Sequence, residues 1–92
     1  MHILAYVTIQ KDTGMITIYY NLTSLPIGSS AVVYKLDAAG SSRRRLQDLG
    51  IIKGTLIEAL QKSPSGDPTA YLIRGTVIAL RSEDTDNIYI CV

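Results

Sequence analysis

The chain has 92 residues, of which 47% are hydrophobic and 18% charged, a balance that describes one folded domain and excludes a disordered chain. Its net charge of +1 excludes a domain built for general nucleic-acid binding and gives no reason to expect an anionic membrane surface as partner. The single cysteine, Cys91, excludes a small disulfide-stapled secreted scaffold and points to the reducing cytosol.

Apolar residues recur mostly at period two among many Ile, Val, Tyr and Thr, which predicts strands. Ile3–Ile9 and Met15–Tyr20 flank Lys11-Asp12-Thr13-Gly14, which reads as a hairpin turn. The first ten residues place no basic region before the apolar stretch and offer no cleavage site, so they do not read as a signal peptide. Leu22–Gly28 is a connector broken by Pro26 and Gly28, Ala31–Leu36 a strand, and Asp37–Ser42 a loop. Arg43–Leu49 is the one clear helix, with Ser41 or Ser42 suited to cap its start and Gly50 suited to the left-handed position past its end. Leu46 and Leu49 share a face that should pack on the sheet. Thr55–Lys62 is a strand and Ser63–Pro68 a tight connection. Thr69–Arg74 is a returning strand, with a bend or bulge expected at Gly75. Thr76–Leu80 follows, then a polar turn over Arg81–Asn87 and a final strand over Ile88–Val92. Short strands with one short helix and no repeated βαβ unit predict a small barrel, mainly β. No apolar run approaches the roughly 20 residues needed to cross a bilayer, so direct membrane insertion is not expected.

Groups for chemistry do not converge. The one histidine is His2, and a Cys–His nucleophile would need His2 and Cys91 with nothing to orient them. There is no Cys-x-x-Cys, no His-x-x-x-His and no phosphate-cradling glycine loop. Glu83, Asp84 and Asp86 read as a solvated acidic turn rather than a cation site. No enzyme activity, metal or other cofactor is therefore expected. The six tyrosines read as strand packing rather than as a platform for RNA.

The helix carries its charges the wrong way round. Arg43, Arg44 and Arg45 crowd its start, where the helix dipole is positive, and Asp48 sits at the negative end. Three readings stay open: arginine stems lying over apolar surface, one arginine pairing with a distant carboxylate, or arginines meeting an acidic partner.

From Leu22 onward the chain resembles the ferrous iron transport protein A (FeoA) family. The resemblance rests on Leu25-Pro26-Ile27-Gly28, the strand around Ala31-Val32-Val33, Arg43–Ile51, Lys53-Gly54-Thr55, Ser65-Gly66-Asp67-Pro68 and Arg74–Asp84, in that order. Lys53, Thr85 and Cys91 are mild departures from the usual pattern. The resemblance implies an SH3-like barrel with one inserted helix, formed by residues 22–92, and a cytoplasmic accessory protein of ferrous-iron uptake. The implied partner is the cytosolic GTP-binding domain of the ferrous-iron permease. Arg43, Arg44, Arg45, Leu49, Arg74 and Arg81 are the candidate partner contacts. Leu46, Gly50, Gly54, Gly66, Pro68 and Gly75 suit the fold, the glycines at turns with unusual backbone angles. A second reading is the related regulatory or dimerisation domain at the C-terminus of metal-dependent repressors, disfavoured here because no DNA-binding region precedes it. Residues 1–21 are an extension that typical members lack, read as an extra hairpin that covers a barrel edge or pairs two copies into a homodimer.

Overall fold

A computed structural model describes the backbone of residues 8–12 and 15–91, with side chains from residue 19 onward. The strands are β1 (Thr8–Asp12), β2 (Met15–Asn21), β3 (Ser30–Leu36), β4 (Leu56–Lys62), β5 (Thr69–Ile73), β6 (Thr76–Leu80) and β7 (Ile88–Cys91). They form one antiparallel sheet in the order β1-β2-β7-β3-β4-β5-β6. Helix α1 (Gly40–Asp48) lies between β3 and β4, and the single turn α2 (Ser82–Thr85) between β6 and β7. A 3-10 turn over Leu22–Ser24 occupies part of the expected connector.

The core follows from the period-two pattern. Ala31 and Val33 of β3, Ile57 and Ala59 of β4, Tyr71 and Ile73 of β5, and Ile88 and Ile90 of β7 all face one side and are buried. Leu22, Leu46 and Ile51 close that core from the loops and helix. Burial pushes the Tyr71 hydroxyl above its ordinary pKa, because the charged phenolate would lose its water. Register shifts at Tyr34 of β3 and Leu60 of β4 add one residue each against the neighbouring strand. Such bulges sharpen the twist and help curl the sheet around its core.

Several boundaries differ from the sequence reading. Helix α1 begins at Gly40, not Arg43, so Ser41 and Ser42 lie inside it; Ala39 holds the cap position and provides no side-chain hydrogen bond. Thr55 precedes β4: its amide donates back to the Ile52 carbonyl (3.0 Å) in the turn before the strand. At Gly75 the chain takes the expected bend, not a bulge. Arg74 and Gly75 form a two-residue hairpin turn closed by Ile73 and Thr76. Both turn residues have positive φ (51° and 78°), the combination of a type I′ turn, whose twist matches the flanking strands. Lys11 and Asp12, expected in a turn, pair with Ile16 and Met15 as part of β1. Residues 3–7, the Thr13-Gly14 pair and Val92 lie outside the described residues. The β1–β2 hairpin joins the rest of the sheet where Tyr20 and Asn21 pair with Ile90 and Tyr89 of β7.

Candidate partner-binding site

The site is built around α1. At its C-terminal end, the Gly50 amide donates to the Gln47 carbonyl (2.9 Å) and the Ile51 amide to the Leu46 carbonyl (3.0 Å). This is the Schellman arrangement, and it needs the left-handed φ of +92° that Gly50 adopts. Leu46 and Ile51, the two residues joined across the motif, are both buried, and Leu49 packs half-buried beside them. The Gly50 carbonyl then accepts the Thr55 hydroxyl (2.9 Å) and Arg74 Nε (3.3 Å). A Cβ at position 50 would stand 2.8 Å from Arg74 Cδ. Arg74 is thus laid across the end of α1 and fastens the β5–β6 turn to it.

The other arginines part company. Arg45 Nη2 meets Asp84 Oδ1 at 2.7 Å, tying α1 to α2; that hydrogen bond, with the attraction of the two charges, raises the arginine pKa further. Arg43 donates to the Leu36 carbonyl (3.1 Å). Arg81 approaches Asp67 only loosely at 4.0 Å. Asp67 is mainly engaged with the Ser82 amide at the start of α2 (2.9 Å). Arg44 is exposed and makes no hydrogen bond or ion pair among the described residues, including with Asp48 one turn away. Of the three readings of the arginines, pairing with a distant carboxylate holds for Arg45, while Arg44 is exposed to solvent. Gly40, Ser41, Arg43, Arg44 and Gln47 line a shallow cleft of about 540 Å³ on this helix.

The outer face of the sheet is more apolar than a solvated face requires. Leu56 and Val77 are 60% and 63% exposed, and Val32 40%. Val32 pairs with Leu56 across β3 and β4, and Leu72 with Val77 across β5 and β6. Gly54, Leu56, Glu58, Leu72, Arg74 and Gly75 line a second cleft of about 380 Å³ here. Further along the same face Tyr19 stacks on Tyr34 (4.8 Å between ring centres) and meets Tyr89 edge-on (5.3 Å). Lys35 lies over Tyr19 and Tyr89, and its ammonium is held above its ordinary pKa, chiefly by a hydrogen bond with Tyr19. The outer apolar face was not singled out by the sequence reading. Its signal is the doubled apolar pairs Val32-Val33 and Leu56-Ile57, where strict alternation would have one polar residue.

Glu83, Asp84 and Asp86 do not converge. Asp84 faces Arg45, Asp86 accepts the Thr23 hydroxyl, and Glu83 is exposed at the start of α2. Among the described residues no group of three or more His, Cys, Asp or Glu side chains could hold a metal ion. The remaining fold residues sit at turns. Gly54 and Gly66 both have φ of +92°, and Pro68 follows a cis peptide bond in the Ser63–Pro68 connection. Cys91 is half-buried on β7. No helix among the described residues is long and apolar enough to cross a membrane.

A curled antiparallel sheet with one helix between its third and fourth strands defines a small SH3-like barrel. The FeoA domain model matches residues 20–91, and the chain belongs to that family, which is associated with ferrous-iron transport. It is 33% identical over 67 residues to an Fe(2+) transport protein A/Fe(2+) transporter FeoB fusion protein of Porphyromonas gingivalis, covering 73% of this chain. The match spans only 8% of that relative's length. The FeoA-like protein of Clostridium acetobutylicum shares 33% identity at a TM-score of 0.73, covering 78% of this chain and 84% of that one. Stenotrophomonas maltophilia FeoA, solved with zinc and described as an SH3 domain protein, shares 29% at 0.70, covering 77% and 88%. A manganese-dependent transcriptional repressor shares the fold alone, at 18% identity and a TM-score of 0.70 over 78% of this chain and 40% of that one.

Proposed function

We propose that this protein is a cytoplasmic accessory of ferrous-iron uptake that binds the cytosolic GTP-binding domain of the ferrous-iron permease, without catalysing a reaction or carrying a metal. The observation that carries this reading is the Porphyromonas gingivalis relative, in which a FeoA-like segment and a FeoB transporter are one polypeptide. Covalent linkage keeps two modules at high effective concentration, which is useful where they act together. The exposed Arg44 and the cleft beside it supply a cationic contact that the fold itself does not consume. Residues 22–92 act as the binding domain and residues 1–21 as an added hairpin, so removing residues 1–14 leaves a folded protein.

The test is a two-dimensional NMR titration of the labelled protein with the permease's cytosolic domain, with and without a GTP analogue. Shifts on the exposed side of α1 or on the outer face of β4–β6 support the reading. Absence of shifts at high partner concentration overturns it. A second reading, a regulatory barrel like that of metal-dependent repressors, is favoured by the shared fold. It predicts instead that the barrel takes up a proline-rich peptide.

A further inference from the structure

The sheet has two open edges, and they differ. β1 ends in Lys11-Asp12, whereas β6 reads Thr76-Val77-Ile78-Ala79-Leu80, uncharged, without proline and rich in branched residues. Charges and prolines are the usual means by which an edge is kept from pairing with another chain, and β6 has neither. Its register determines which backbone groups are open. The two-residue turn makes Ile73 and Thr76 a hydrogen-bonded pair, so Leu72–Val77 is not one, Tyr71–Ile78 is, and Ala70–Ala79 is not. The amides and carbonyls of Val77 and Ala79 therefore point away from β5, and they have no backbone partner among the described residues. Val77 and Ala79 are exposed, while Ile78 leans on the core. Next to Val77 lie Leu72 and the cleft it shares with Leu56. At the two ends of the strand stand Arg74 and Arg81, both exposed, the latter held only by its loose approach to Asp67.

We infer that β6 is a strand-acceptor edge, and that an extended segment of the partner protein, apolar at alternate positions and acidic at its ends, pairs with Val77 and Ala79. The inference rests on the partner-binding reading above and names the surface and the form of contact. Main-chain hydrogen bonds would supply much of the affinity, and side chains packing on Val77 and Leu72 the selectivity. The acidic ends answer Arg74 and Arg81, the charges that bracket the strand.

The experiment is residue-by-residue amide hydrogen exchange on the intact protein, alone and with the full-length permease in lipid nanodiscs. Binding is also measured for Val77→Pro and Val77→Lys. The Val77 N–H points outward, so proline there removes no β5–β6 bond, and lysine leaves the backbone whole. The expected result is that exchange at Val77 and Ala79 slows at least about tenfold on the permease, and that each substitution weakens binding by about tenfold or more, the proline by removing the outward Val77 donor and the lysine by setting a charge where an apolar side chain packs. Binding with unchanged exchange at Val77 and Ala79 overturns the edge and leaves the partner reading standing. Protection that grows with the protein's own concentration places a second copy on the edge and overturns the inference. Failure of the wild-type chain to bind the permease overturns both. If Val77→Pro does not fold, the wild-type exchange and Val77→Lys decide.

Discussion

The two ends of α1 are built on opposite plans. Its start has no side-chain cap and no acidic residue in the first turn; because the helix begins at Gly40, only Arg43 of the three arginines falls near the positive end of the dipole, and Arg45 lies in the last turn, where a cation is favoured. Its end is wired into the barrel: the Schellman bonds, the Gly50 backbone, the Thr55 hydroxyl and the Arg74 guanidinium all converge there. The helix is thus held from one side. Tertiary contacts at the C-terminal end sustain it, while the N-terminal turn has no side-chain cap. Of its arginines, Arg45 is spent on α2, whereas Arg44 has no structural task in view.

Five substitutions break or sharpen that contrast. Leu46→Ala empties a fully buried position at the anchored end and should cost about 2–5 kcal/mol in denaturant unfolding. Gly50→Ala forces a side chain into a left-handed backbone and against Arg74, with an expected loss of about 1–3 kcal/mol. The same change in an Arg74→Ala background should cost less than in the parent, because the Arg74 Cδ and Nε that crowd the Cβ are then gone; additive losses would mean that Arg74 and Gly50 are not coupled. At the other end the sign reverses. Ala39→Ser gives the first turn the missing acceptor and should stabilise by about 0.5–1 kcal/mol; no gain would mean that the start is already satisfied by other groups. Smallest of all, Arg44→Ala should leave the thermal midpoint unchanged and alter only the titration with the permease domain. A clear loss of stability would assign Arg44 to the fold.

Much of the barrel was legible because strands write themselves at period two. β3, β4, β5 and β7 fall within a residue or two of the expected spans, and Leu46 and Gly50 sit where spacing and capping rules put them. The start of α1 was not legible. Ser41 and Ser42 are good capping residues locally, but the extended backbone ends at Ala39, so the helix starts at Gly40 and both serines fall in its first turn. The site was legible only as a list of arginines. Arg45–Asp84 spans 39 positions and Arg74–Gly50 spans 24, distances that no local rule reaches. Their separation into bound and unbound residues belongs to the packed barrel.

By itself the sequence determined a single small mainly β domain of the FeoA kind, with one helix ended at Gly50, because alternation, turn chemistry and capping act within a few residues of chain. The tertiary structure alone decided which arginine is pinned and which is open, and that β6 is an open, uncharged edge beside an apolar face. Those properties arise when residues distant in sequence become neighbours and leave an edge strand paired on one side only.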